Sequence, residues 1–147
     1  MPDSGTMPPS VTQEPADILV QLALPRSQKV VLVIDLVESV RLMSVDEAGT
    51  VARWHGFVQQ AKDHTIPQHH GRLVKSLGDG LMVEFEQARD AVNAAQTLHS
   101  AITRTNAGLG AERHMHLRAG INRSQIIAER AGCINQIFVR KAICGRI

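Results

Sequence analysis

Two aspartates, Asp35 and Asp79, stand where they could hold a metal for chemistry at a phosphate. Asp35 closes an apolar run, Val30–Ile34, that is typical of a strand buried on both faces. Asp79 lies in a Gly-Asp-Gly turn between two further strand-like runs. Carboxylates at neighbouring strand ends can meet in space, where they repel each other unless a cation lies between them. The pair therefore predicts a divalent-metal site suited to phosphoryl chemistry.

Lys75 precedes Asp79 by four residues and is a further candidate for contact with a substrate. A Gly-Asp-Gly hairpin is, however, also ordinary turn chemistry. From the residues alone, Asp35 could be a strand-end acid that caps a turn, and Asp79 could be a turn acid bonded locally. Lys75 alternates with Leu73 and Leu77 and could simply be a solvated lysine. Composition and spacing leave both sets of interpretations open.

The elements that would position these residues follow the order β-α-β-β-α-β, the split arrangement of ferredoxin-like folds. We therefore expect an α+β domain in which helices cover one face of an antiparallel sheet and leave the other face for a ligand or partner. The predicted segments are a strand over about Lys29–Asp35, a helix opened by a capping box at Ser44–Glu47, hairpin strands over Arg72–Leu77 and Leu81–Phe85, a helix over about Ala88–Thr105, and a strand over His114–Ile121.

Apolar residues recur at helical spacing in both predicted helices and indicate which faces are buried. In the last strand, His114, His116 and Arg118 alternate with apolar residues and are expected to be exposed. The predicted inner faces are Val51, Trp54, Phe57, Val58 and Ala61 in the first helix, and Ala91, Val92, Ala95, Leu98 and Ile102 in the second.

Length and composition favour one domain, since 147 residues with 44% hydrophobic content can build a single core. No window has the apolar length of a membrane span, and the first residues lack the pattern of a signal peptide, so a cytoplasmic location is the default expectation. Cys133 and Cys144 are expected to be free thiols rather than a disulfide framework.

The charge is unevenly distributed along the chain, whose net charge is +2. Residues 123–147 hold five of the 16 basic side chains and one of the 14 acidic ones. The predicted core lacks a basic stripe with interleaved aromatic residues, which argues against nucleic-acid binding. We predict a disordered or loosely packed segment over residues 1–28, a domain over 29–129 and a divergent basic tail over 130–147.

Three motifs in order resemble the catalytic domain of class III adenylate and guanylate cyclases in its bacterial form. Ile34–Leu42 resembles the first metal motif of that family, and Gly71–Met82 closely resembles its hairpin. Leu117–Asn122 resembles the strand that follows. The resemblance covers about residues 31–122, which is roughly the first two-thirds of such a domain.

The resemblance implies a site for two Mg²⁺ or Mn²⁺ ions bound by Asp35, Asp79 and the backbone carbonyl of Leu36. Lys75 would contact the purine of ATP, with GTP as the other possible substrate, and Ser39 and Gly78 would add further substrate contacts. The implied reaction is attack of the ribose 3′-oxygen on the α-phosphorus, which closes 3′,5′-cyclic AMP and releases pyrophosphate. Family sites form between two subunits, so the resemblance implies a homodimer or a heterodimer with a full-length cyclase.

The sequence departs from the family in two regions. Glu38 stands where the family has Gly, and Val40 stands where it has Thr. Arg123–Glu129 still resembles the next hairpin strand, but from Arg130 to Ile147 no residues match the helix whose Asn and Arg steady the transition state. We therefore expect a truncated domain, with a shifted reading frame as the source of the tail, that is weak or inactive by itself.

Two alternatives to an active cyclase are open at this point. The first is a non-catalytic nucleotide-binding or dimerisation module, favoured by the absent Asn/Arg helix. The second is a receiver domain with Asp35 as its phosphoacceptor. A receiver needs an acidic pair after an earlier strand and alternating parallel β-α units, and the sequence predicts neither.

Overall fold

The computed structural model describes residues 26–127, which form four strands and their connecting helices. In chain order the elements are β1 (Arg26–Leu36), α1 (Ser39–Gln60), a π-helical turn (Ala61–Thr65), α2 (Ile66–Gln68), β2 (Arg72–Ser76), β3 (Gly80–Phe85), α3 (Ala88–Thr105), a 3₁₀ turn (Ala111–Arg113) and β4 (Leu117–Ile127).

The strands lie in the order β2-β3-β1-β4, and every neighbouring pair is antiparallel. The chain therefore leaves the sheet after β1 through α1, returns at its edge as the β2–β3 hairpin, and leaves again through α3. That is the ferredoxin-like βαββαβ topology, and the fold predicted from the sequence is confirmed.

One face of the sheet carries the hydrophobic core, because alternate residues of each strand point toward the helices. On β1 this alternation places Asp35 on the opposite face from its neighbours Ile34 and Leu36. The core residues are Val30, Leu32, Ile34 and Leu36 of β1, Leu81, Val83 and Phe85 of β3, Leu117 of β4, Leu42, Trp54 and Phe57 of α1, Ala91, Ala94, Ala95, Leu98, Ala101 and Ile102 of α3, and Ala61, Ile66 and Met115 from the connecting segments.

Helix α1 begins five residues earlier than the predicted capping box and bends at Asp46, whose backbone is extended (φ −156°, ψ 80°). The predicted cap at Ser44 is wrong, because the Ser44 hydroxyl donates to the Arg41 carbonyl at 2.7 Å. Asp46 takes that role, since its Oδ1 accepts the Gly49 N–H at 3.0 Å. This hydrogen bond, together with the Arg53 guanidinium, lowers the pKa of Asp46.

Two residues assigned to the buried faces of the helices are exposed instead. Val51 is 50% exposed and Val92 is 41% exposed. In α1 the inward position belongs to Thr50, which satisfies its buried hydroxyl by donating to the Leu42 carbonyl at 3.3 Å. In α3 the buried face is dominated by alanines, which lets the helix lie close to the sheet. The apolar side chains of Val51 and Val92 suggested burial, but the angular positions of these residues around their helices leave them exposed.

Parts of the sequence-based prediction fall outside the described residues. These are the expected disorder before residue 26 and the basic tail over residues 130–147, with both cysteines. Residues 26–28, which were placed in the loose segment, begin β1. Across the described helices, no segment is long and apolar enough to cross a bilayer.

Glu38 provides a test of the turn between β1 and α1, because it adopts a left-handed conformation (φ 52°, ψ 41°). A side chain beyond Cα is strained there, whereas glycine is not. We expect Glu38→Gly to unfold with a free energy about 0.5–1 kcal/mol higher than Glu38→Ala, after allowance for the freer unfolded state of glycine. Both variants lose the ion pair with Arg41, so its loss does not contribute to the difference in stability between them. Urea denaturation measures the difference, and an alanine variant as stable as the glycine variant would contradict the strain.

Candidate active site

The two predicted metal acids lie together at one end of the sheet. Asp35 is the cross-strand partner of Gly80, the residue directly after Asp79. The Leu36 N–H donates to the Asp79 carbonyl at 2.9 Å, which fastens the hairpin turn to the end of β1. Both acids line an open pocket of about 330 Å³ on the sheet face away from the helices. Its lining is Val33, Ile34, Asp35, Leu77, Asp79, Gly80, Arg118 and Gly120.

Both glycines of the Gly-Asp-Gly turn are needed for this approach. Gly78 has φ +81°, which glycine adopts without strain. A Cβ added to Gly80 would lie 2.7 Å from the Ile34 carbonyl oxygen, so any side chain there would push the turn away from β1. The turn sequence therefore brings Asp79 close to Asp35 rather than merely reversing the chain.

Ser39, predicted to contact substrate, holds Asp79 in this structure. It is the first residue of α1, and its hydroxyl donates to Asp79 Oδ2 at 2.7 Å. The bond links the start of the helix to the hairpin turn and restricts the rotamer of the carboxylate. One lone pair of Oδ2 is occupied in this way, and the carboxylate still lines the pocket.

Trp54 also anchors the Gly-Asp-Gly turn. Sequence analysis placed it in the core, where it is indeed buried and stacks on Phe57 with ring centroids 5.3 Å apart. Its indole Nε1–H also donates to the Gly78 carbonyl at 2.8 Å. Buried indole N–H groups usually find a partner. Here that partner belongs to the turn that carries Asp79, a link that helical periodicity alone did not reveal.

Arg118 is the site residue that sequence reasoning missed. It was expected on the exposed side of the last strand, and its side chain is indeed 63% exposed. However, β4 pairs with β1 so that Arg118 lies opposite Asp35, and its Nη2 donates to Asp35 Oδ2 in an ion pair. The alternation of β4 located the side chain on the correct face, but the identity of its partner depends on strand order.

Lys75 reaches the same sheet face because of a β-bulge. Leu73 pairs with Val83, but Lys75 pairs with Met82, so the register shifts between the two β2 residues. Without the shift Lys75 would oppose the core residue Leu81 and point toward the helices. Bulges commonly re-aim a side chain in this way. Lys75 is exposed on the open face near the pocket, although it does not line the pocket itself.

No protein-family model matches the chain. It is 34% identical over 111 residues to putative adenylate cyclase 3 of Rhizobium meliloti (strain 1021), covering 73% of this chain and 18% of that protein. The chain thus spans less than a fifth of that relative's length.

Solved structures agree with this relationship. The adenylate/guanylate cyclase/hydrolase from Silicibacter pomeroyi superposes with a TM-score of 0.63 at 26% identity, over 72% of this chain and 62% of that one. The chain belongs to the class III nucleotide cyclase catalytic-domain family. The guanylyl cyclase Cya2 shares the fold, with a TM-score of 0.61 at 20% identity over 82% of this chain and 64% of its own.

The donor atoms of this cyclase domain suit a hard divalent cation. Carboxylate and carbonyl oxygens are the ligands that Mg²⁺ and Mn²⁺ prefer. Within residues 26–127, no cluster of three or more acidic, His or Cys side chains could hold a metal by itself. Magnesium sites that act on nucleotides typically use one or two carboxylates together with substrate phosphates. Asp35, Asp79 and the Leu36 backbone therefore fit a site completed by the nucleotide.

Trp54→Phe tests whether the indole hydrogen bond holds the hairpin turn of the cyclase domain. Phenylalanine keeps the aromatic contact with Phe57 but leaves the Gly78 carbonyl without its donor. We expect the free energy of unfolding to fall by about 1–3 kcal/mol. Amide hydrogen exchange should also accelerate at Leu77 and Asp79 more than in α3. Equal acceleration in both regions would contradict a specific role at the turn.

Proposed function

We propose that this chain supplies metal-binding acids and a base-binding lysine to sites that form between two subunits and cyclise ATP. The observation that supports this most is the convergence of Asp35 and Asp79 in one open pocket, with Lys75 turned onto the same sheet face. Family membership supports a nucleotide cyclase, and the choice of ATP rests on Lys75.

Asp35, Asp79 and the Leu36 carbonyl would together hold two Mg²⁺ or Mn²⁺ ions. When bound, the ions would make the ribose 3′-hydroxyl easier to deprotonate and would neutralise charge on the triphosphate. Ser39 keeps the Asp79 carboxylate in place, and Trp54 and the Leu36 N–H fix the turn beneath it. Such preorganisation lowers the entropy cost of assembling the site.

The proposed reaction balances as a simple displacement. The ribose 3′-hydroxyl loses its proton, and the 3′-oxygen forms a bond to the α-phosphorus. The bond from that phosphorus to the bridging oxygen breaks in line, and pyrophosphate departs with the electron pair. The chain contributes positioning and charge stabilisation, which account for most catalysis of phosphoryl transfer. The products are 3′,5′-cyclic AMP and pyrophosphate.

We propose that Lys75 contacts the purine ring and that a second subunit completes the site. The Asn and Arg that steady the transition state in the family have no counterpart at family spacing in residues 123–147. A longer cyclase would have to supply them as the partner, because another copy of this chain has the same residues 123–147. The same observation favours a second candidate function, a non-catalytic nucleotide-binding or dimerisation module.

Binding is tested by thermal unfolding with Mn²⁺ and a non-hydrolysable ATP analogue. A ligand that binds only the folded state at about 100 times its Kd stabilises it by about 2.7 kcal/mol, which raises Tm by roughly 5 °C or more. Asp35→Asn and Asp79→Asn should each abolish the rise. Asp63→Asn, which removes an exposed carboxylate outside the pocket, should leave it intact. A rise that survives both site variants would mean that the nucleotide binds elsewhere.

Turnover tests the proposed impairment of the chain by itself. The 147-residue chain alone with Mn²⁺ and ATP should form little or no cyclic AMP, because each absent transition-state donor typically contributes a factor of about 10²–10³ in rate. Cyclic AMP measured by mass spectrometry is the readout. Robust turnover that disappears in Asp35→Asn would contradict the proposed impairment and would rule out a non-catalytic module.

A further inference from the structure

The ion pair between Arg118 and Asp35 places the positive charge of a side chain where the proposed function needs a metal. Arg118 Nη2 donates to Asp35 Oδ2, and both residues line the pocket. The antiparallel register between β1 and β4 makes them direct cross-strand partners, so the contact is built into the sheet. The Arg118 side chain is 63% exposed and the Asp35 side chain 32% exposed. The pair therefore remains accessible to ions and ligands from solvent.

Arg118 disfavours the binding of a divalent cation at Asp35 in two ways. The guanidinium occupies a carboxylate oxygen that a metal would also use. Its positive charge also repels a dication in the same pocket, by about 1–2 kcal/mol at 5 Å even in water-like dielectric. Exposed ion pairs are weak, typically about 0.2–1 kcal/mol, so loss of the Asp35 contact by itself costs little.

A nucleoside triphosphate changes the balance, because it offers Arg118 another anion. Guanidinium groups bind phosphate oxygens with the same forked geometry that they use for carboxylates. Once the triphosphate lies in the pocket, Arg118 can exchange Asp35 Oδ2 for a phosphate oxygen. Asp35 then becomes free to bind a metal, and the phosphates offset the charge of both cations.

We propose that Arg118 is a positioning residue that occupies Asp35 until the triphosphate arrives and thereby couples metal binding to nucleotide binding. The proposal rests on the proposed function, since it assumes that Asp35 and Asp79 hold the metal. Its consequence is reciprocal: Arg118 weakens binding of the metal alone and increases the factor by which nucleotide and metal strengthen each other.

The experiment measures Mn²⁺ binding to the 147-residue chain by electron paramagnetic resonance of free Mn²⁺, with and without a non-hydrolysable ATP analogue. In Arg118→Gln the Kd for Mn²⁺ alone should fall by roughly three- to tenfold. The factor by which the analogue tightens Mn²⁺ binding should fall by a similar amount. Raising the ionic strength should shrink the difference between wild type and Arg118→Gln.

Two control variants separate charge from local structure. Arg123→Gln removes an exposed arginine from the same strand, outside the pocket, and should leave both Mn²⁺ constants unchanged. Arg118→Lys keeps the charge but not the forked donor, so its constants should lie between those of wild type and Arg118→Gln. Thermal unfolding without ligands confirms that each variant is folded.

The outcomes distinguish this inference from the proposed function. If Mn²⁺ binding requires Asp35 and Asp79 but Arg118→Gln leaves its Kd unchanged or raises it, the role of Arg118 is refuted and the metal site stands. If Mn²⁺ binds neither wild type nor Arg118→Gln, with or without the analogue, both proposals fail. If Arg123→Gln lowers the Kd for Mn²⁺ as much as Arg118→Gln does, the change in Kd reflects only the net charge of the chain. That result would also overturn the proposed coupling.

Discussion

The site depends on one backbone contact, the hydrogen bond from the Leu36 N–H to the Asp79 carbonyl. It joins the end of β1 to the turn of the β2–β3 hairpin, segments that are distant in sequence. Because Gly80 has no side chain, the hairpin can approach β1 closely enough for this bond to form. A carboxylate of β1 and a carboxylate of the hairpin turn are thereby brought to one pocket. The remaining contacts, from Ser39 and Trp54, support that approach.

Electrostatic and hydrogen-bond partners stabilise this convergence of two carboxylates. Asp35 is balanced by Arg118 from β4, and Asp79 receives a hydroxyl hydrogen bond from Ser39. Each acid thus has its own partner, which limits the repulsion between them. The site is consequently formed by three strands and one helix terminus, so its geometry is inseparable from the sheet order. The contacts that position the candidate site are therefore also contacts that hold the sheet together.

Sequence reasoning succeeded where a residue type and its local spacing dictated the outcome. The strand alternation, the Gly-Asp-Gly turn and the span of α3 followed from local patterns and are present in the structure. It failed where a nonlocal or register effect decided the result. The start of α1 was misplaced because the helix begins at Ser39, ahead of an internal bend that is capped by Asp46 and that periodicity cannot show. The partnership of Arg118 with Asp35 required knowledge that β4 lies beside β1, and the position of Lys75 on the open face of the sheet depends on a bulge.

We propose that Asp35 and Asp79 jointly hold metal beneath a nucleotide. A crystal of the chain grown with Mn²⁺ and a non-hydrolysable ATP analogue provides the test, through anomalous scattering at the manganese edge. We expect manganese peaks within about 2.0–2.3 Å of carboxylate oxygens from both Asp35 and Asp79, with triphosphate oxygens completing the coordination. Manganese bound at other side chains, with the analogue outside this pocket, would contradict it.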